Sequence, residues 1–148
     1  MRDAFGGAFL IKLFLIFLGI YVAFMAVALN YAKAFKVKNY IINVIEQYEG
    51  FKDSKTDEAI YTNINNYING IGYNPAFDVT DLGSACINAT NINGKAAYCI
   101  ISLSSNEVRG TYYRVTTYMR FQLPFFGIDI KVPISGETRV VTGQNITV

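Results

Sequence analysis

One stretch constrains this chain more than any other: the uncharged apolar run Leu13 to Leu29, LFLIFLGIYVAFMAVAL. With its flanks it supplies the roughly 20 apolar residues that one membrane crossing needs. Unpaired backbone amides are so costly in lipid that a lone crossing segment has to be helical. The helix need not stop where the apolar run does. From Tyr31 onward, Tyr31, Ala34, Phe35, Lys38, Ile41, Ile42, Ile45, Tyr48 and Phe51 recur at threes and fours. Lys33, Lys36, Asn39, Asn43, Glu46 and Glu49 mostly take the remaining positions. No Pro or Gly interrupts Ile20 to Glu49, and Gly50 offers a stop. The pattern predicts one rod from Ala8 to Glu49, about 60 Å long. It divides the chain into a short tail (1–7), a transmembrane helix (8–30) and a head (31–148) on which the amphipathic half presses its stripe.

A secretory signal peptide is the other use of such an N-terminus. No small-x-small cleavage site follows the run before Lys33, so a retained anchor is expected. Lys12 then snorkels to the headgroups and marks the membrane interface at the start of the span. Gly19, Ala23 and Ala26 are small residues at which another helix could approach closely, although no GxxxG is present.

The head has about 115 residues, enough for one modest core. A formal charge of +2, with Lys and Arg scattered, argues against nucleic acid as a partner. Eleven Tyr, eleven Phe and no His or Trp give an aromatic but sparsely charged chain that suits half-buried strands. Cys86 and Cys99 are the only cysteines, too few for a metal site. They are either two buried thiols or a disulfide closing a short polar loop. The disulfide would stabilise the head by about 3 kcal/mol and place it outside a reducing cytosol. Arg2 and Lys12 precede the span while Lys33, Lys36 and Lys38 follow it, so the positive-inside count is nearly tied. The cysteine pair and the short tail favour a cytoplasmic N-terminus and an extracytoplasmic head.

Beyond Gly50, Ser54 or Thr56 can cap a second helix over about 56–69, with Ala59, Ile60, Ile64, Tyr67 and Ile68 as its buried stripe. Tyr73 to Gly83 is predicted to be irregular. From about 85 to 141 the period changes to two. Asn93-Gly94 is a strong hairpin signal between Cys86–Asn91 and Ala96–Ser104, and sets the cysteines on opposite arms. Along Thr111–Leu123, Tyr113, Val115, Thr117, Met119, Phe121 and Leu123 share one face. Ile128, Ile130, Val132, Ile134 and Val140 alternate in the last strand, where Pro133 and Gly136 indicate an edge or a bulge. Helices followed by antiparallel strands make an α+β fold, with the long helix laid across a strand meander.

Chemistry is sparse. There is no His to act as a base, and a bonded Cys is no nucleophile. Asp78 and Asp81, or Asp53, Asp57 and Glu58, lack the spacing of a calcium loop and read as solvated turns. No cofactor is implied, and an enzyme is not expected. Structural assembly comes first; a monomeric, membrane-anchored binding module using the strand face or the 73–83 loop is the alternative.

These features resemble the type IV pilin-like proteins, and among them the TadE/TadF-like pseudopilins of tight-adherence pili and related secretion systems. The resemblance lies in the short leader, the apolar helix running into an amphipathic one, and the α+β head. It extends to Thr111-Tyr112-Tyr113-Arg114-Val115-Thr116-Thr117-Tyr118 through Pro124, and to Val132-Pro133-Ile134-Ser135-Gly136-Glu137-Thr138-Arg139. It implies a minor pilin or pseudopilin working with other pilin-like subunits, and a prepilin peptidase cutting between Gly7 and Ala8. Pilins usually carry an acid at the fifth mature position; Lys12 stands there instead.

Overall fold

In the computed structural model the residues described are 2–73, 77–78, 86, 91–92, 95–105, 109–123 and 127–142. Helix α1 runs without a break over Arg2–Gln47, 46 residues, or about 70 Å. It begins earlier than the predicted rod and ends two residues sooner. Its end is a Schellman closure: the Gly50 N–H reaches the Ile45 carbonyl at 2.9 Å and the Glu49 N–H reaches that of Glu46 at 3.2 Å. Glu49 takes the left-handed conformation (φ 54°) that glycine usually fills, and Gly50 follows at φ 85°. The predicted stop is therefore shared by two residues.

The buried face of α1 is Ala34, Val37, Ile41, Val44 and Ile45. This corrects the phase of the predicted stripe. Val37 and Val44 belong to it, whereas Tyr31 and Phe35 are exposed and stack on each other with ring centroids 6.3 Å apart. Helix α2, Ser54–Gly70, starts from Asp53 as N-cap, with no side-chain capping bond from it; neither Ser54 nor Thr56 takes that position. Ile60, Ile64 and Ile68 are fully buried at the i, i+4, i+8 spacing of one face. Tyr67 stacks on Tyr40 of α1, centroids 3.8 Å apart, and the Asn63 amide donates to the Tyr48 hydroxyl at 3.1 Å.

The strands form two antiparallel sheets rather than one meander. Two-residue strands β1 (Phe77–Asp78), β2 (Asn91–Ile92) and β3 (Lys95–Ala96) make a small sheet in the order β1-β3-β2. Ile92 stands opposite Lys95, which leaves two residues for the hairpin turn predicted at Asn93-Gly94. That turn, Asp81 and Pro124–Phe126 lie outside the described residues. The chain leaves the small sheet at Ala97, so the predicted arm Ala96–Ser104 is divided. Strands β4 (Tyr98–Ser105), β5 (Gly110–Leu123) and β6 (Ile128–Glu137) form the main sheet with β5 central. A disulfide joins Cys86 to Cys99 on β4, with Cα atoms 5.4 Å apart.

One face of β5, Tyr113, Val115, Thr117, Met119 and Phe121, is buried as its alternation predicts. α1 crosses this face. The Thr117 hydroxyl donates to the Ala34 carbonyl at 3.1 Å, and the Phe51 N–H reaches the Tyr113 hydroxyl at 3.3 Å. Gly136, paired with Val115, lies under Ile42 and Lys38 so closely that a Cβ there would be 2.9 Å from the Ile42 methyl. β6 is an outer strand of the main sheet, as the edge reading of Pro133 and Gly136 predicts, and Gly136 itself marks the helix crossing rather than a bulge. The bulge lies further on. Thr138 still pairs with Tyr113 while Val141 bonds to Thr111 in both directions, so Arg139 and Val140 together oppose Tyr112. Along β6, Val132 and Ile134 are half-buried but Ile130 is exposed, as is Val140 beyond the strand's end; the apolar face of the last strand is only partly covered.

Pro133 costs the sheet nothing. It stands opposite Tyr118, whose N–H and C=O turn the other way, to the hydroxyl of Tyr73.

Candidate functional site

Among the described residues, two features of this fold can act on something outside it. The first is the bare half of α1. Its side chains from Phe9 to Tyr31 include Phe14, Phe17, Ile20, Tyr21 and Leu29, each at least half exposed or close to it, and Phe24 is 73% exposed. None of its most apolar eighteen residues is buried, and the helix is long and apolar enough to cross a membrane.

The predicted site residues of this segment occupy one helix and share its surface. Gly7, Ala8 and Lys12 are helical and exposed. A Cβ added at Gly19 would meet nothing within 4 Å. Ala23 and Ala26 are half-buried, and Val27 packs against the head core. At about 100° per residue, Gly19, Ala23 and Ala26 lie on the continuation of the stripe Ala34–Val37–Ile41–Val44. The small residues therefore lie beneath the head, on the side of α1 that the head itself covers higher up. Cys86 and Cys99 are brought together as predicted, but on the head and apart from this surface.

The second feature is a cavity of about 220 Å³ where the head meets the foot of the amphipathic segment. Asn30 and Lys33 of α1, Gly72 and Tyr73 after α2, and Tyr118, Met119 and Arg120 of β5 line it. Its construction follows from the strand register. β4 starts at Tyr98, opposite Thr117, so the β4–β5 ladder ends there. The Tyr73 hydroxyl takes that place, accepting from the Tyr118 N–H at 3.0 Å and donating to the Tyr118 carbonyl. Gly72, at φ 61°, lets the chain turn into this position. Burial pushes the Tyr73 phenol well above its ordinary pKa, and burial raises that of Tyr118 as well. Both stay neutral at physiological pH; among the described lining residues, Lys33 and Arg120 are the ionised ones.

Sequence reasoning treated Tyr73 only as the start of an irregular loop, and did not find the cavity. A lone Tyr after a helix-ending Gly carries no periodic signal, and its partner lies 45 positions away. Asp53, Asp57 and Glu58 fall at the start of α2; no group of three or more potential metal ligands occurs among the described residues. Burial, then Asp53, raises the pKa of Asp57.

No protein-family model, curated protein or solved structure matches the chain.

Proposed function

We propose that this chain is a membrane-anchored, pilin-like structural subunit, of the minor-pilin or pseudopilin kind, belonging to a tight-adherence-type pilus or a related secretion system. It is non-catalytic and acts by lateral packing of its helix with partner subunits. The observation that carries this reading is the continuity of α1: one 46-residue helix, bare in its apolar half and packed across an antiparallel sheet in the other. An anchor that served only to tether would need neither the length nor the rigid coupling to the head. The head is extracytoplasmic in this proposal, supported by the Cys86–Cys99 bond and the redox compartment such a bond favours.

The intact mass of the protein recovered from its native membranes tests the reading. Loss of the residues through Gly7 would place it on the prepilin-peptidase route, and Gly19→Leu should then weaken recovery of partner subunits in pull-downs. A full-length mass, with no pilin-type subunit co-purifying, would favour the second reading, a monomeric anchored binding module. The cavity at Lys33, Tyr73 and Arg120 is the observation on that side.

A further inference from the structure

α1 and β5 lie side by side, and their contacts put both on one scale of height. The Arg139 N–H, level with Tyr112, donates to the Glu46 carboxylate at 2.9 Å. Gly136, paired with Val115, lies under Lys38 and Ile42, and the Thr117 hydroxyl is bonded to the Ala34 carbonyl. From Glu46 to Ala34 is about 18 Å of helix, and from Tyr112 to Thr117 about 17 Å of strand. Helix and strand therefore keep pace, in opposite chain directions. At the same rate Phe121 comes level with about Met25 of α1, and Leu123, the last residue of β5, with about Tyr21. The burial of α1 agrees. Ala23, Ala26 and Val27 are half-buried while their neighbours are exposed, and Val27 packs on the head core.

The end of the β5–β6 hairpin thus stands beside the apolar run Leu13–Leu29, not above it. Two limits bracket a bilayer around α1. About 20 residues counted from Lys12 put the head-side edge of the hydrocarbon near Ala32, which sets the hairpin end among acyl chains. An edge as low as Tyr21 leaves only Phe5–Tyr21 below it, about 25 Å of helix, already short of the roughly 30 Å of a bilayer core. At either limit, and between them, the hairpin end meets lipid. Its residues suit that contact. Phe121 to Ile130 reads FQLPFFGIDI, with no Lys or Arg and one acid, Asp129. Ile130 shares the α1 side of the sheet with its cross-strand partner Phe121, yet is 45% exposed. Gln122 stands opposite Asp129, and a carboxylate is costly in hydrocarbon, which favours headgroup depth over the deeper setting.

We propose that the end of the β5–β6 hairpin is a second membrane-contacting element, seated among lipid headgroups on the head side of the bilayer. Two attachments, a helix through the membrane and a hairpin on it, would fix both the tilt and the rotation of the head. The proposal rests on α1 crossing a membrane, but not on assembly into a pilus.

The test attaches a polarity-sensitive fluorophore to single added cysteines of the full-length protein in phosphatidylcholine vesicles. The vesicles carry a lipid-borne quencher either at the headgroup or deep in the acyl chain. Cys86 and Cys99 are bonded to each other, so the added thiol is the one that reacts. Ile130→Cys, at an exposed position on an outer strand, should lose fluorescence to the headgroup quencher, and less to the deep one. Phe17→Cys, exposed within the apolar run, should show the reverse order. Ser102→Cys, exposed on β4 opposite Tyr113, should lose none to either. An Ile130→Cys probe quenched no more than the one at Ser102→Cys would overturn the hairpin contact. A blue-shifted probe there that neither quencher reaches would mark protein as the cover, a second copy included, and overturn it equally. Stronger quenching from the deep position would keep the lipid contact but overturn the headgroup depth. The two levels are read from different variants: an unquenched Phe17→Cys probe would sink the span itself, whereas failure at Ile130→Cys alone would sink only the hairpin.

Discussion

Tyr73 does work that no single expectation assigned to it. Its hydroxyl serves as a missing strand for Tyr118, and its ring is buried in the core. Tyr73→Phe should cost about 1–3 kcal/mol, the penalty of leaving backbone groups unsatisfied, measured by denaturant unfolding of the detergent-solubilised protein. The pH dependence has a definite sign. An unfolded tyrosine ionises near pH 10, while burial raises the pKa of Tyr73 in the fold. Its contribution is complete below pH 10. Above that the unfolded chain sheds the proton first, and stability falls as pH rises toward the folded value. The gap between wild type and Tyr73→Phe should narrow over that range; a constant gap would show that the phenol is not held neutral.

Each helix depends on one local device. At the end of α1, buried Gly50 sits at φ 85°, a conformation that a Cβ disfavours. Gly50→Ala should lower stability by about 1–2 kcal/mol, seen as a shift in the denaturant midpoint at unchanged slope. α2 is held by its isoleucine stripe, and Ile64→Ala at a fully buried position should cost about 2–5 kcal/mol. A change under 1 kcal/mol would mean that α2 is not integral to the core. Gly110 is a third such point, where β5 receives the returning chain. A Cβ there would lie 2.7 Å from the Val141 carbonyl oxygen, so Gly110→Ala should break the Thr111–Val141 pairing and expose both amides to hydrogen exchange.

At the scale of the whole molecule, α1 joins an exposed apolar half to a packed one. Its second half contributes Ala34, Val37, Ile41, Val44 and Ile45 to the head core, so the head and the helix move as one body, and in the membrane-anchored reading proposed above the head would not tilt independently of the span. The disulfide closes a loop with a sequence separation of 13 and should contribute about 3 kcal/mol on the chain-entropy account. Reduction should therefore lower the unfolding midpoint of the head and add about two mass units. An unchanged midpoint would mean that the bond constrains only its own loop.

The sequence by itself determined the elements whose signal is local. Seventeen uncharged residues between Leu13 and Leu29 leave only a helix suited to lipid, because the backbone must satisfy itself. The alternation of Tyr113, Val115 and Thr117, and the spacing of Ile60, Ile64 and Ile68, named their buried faces, because period follows from backbone geometry alone. Only the tertiary structure decided where those faces meet. The phase of α1 turned on Val37 and Val44, since a wide apolar surface offers several stripes and packing on β5 selects one. Pro133 and Gly136 indicated an edge or a bulge, and β6 is an edge strand; that Gly136 also makes room for α1, and that Tyr118 bonds away from Pro133, came only from the crossing and the register. The cavity was invisible for the same cause. Lys33, Tyr73 and Arg120 are far apart in sequence, and their juxtaposition depends on the β4–β5 register and the height at which α1 crosses the sheet, which no window of neighbouring residues encodes.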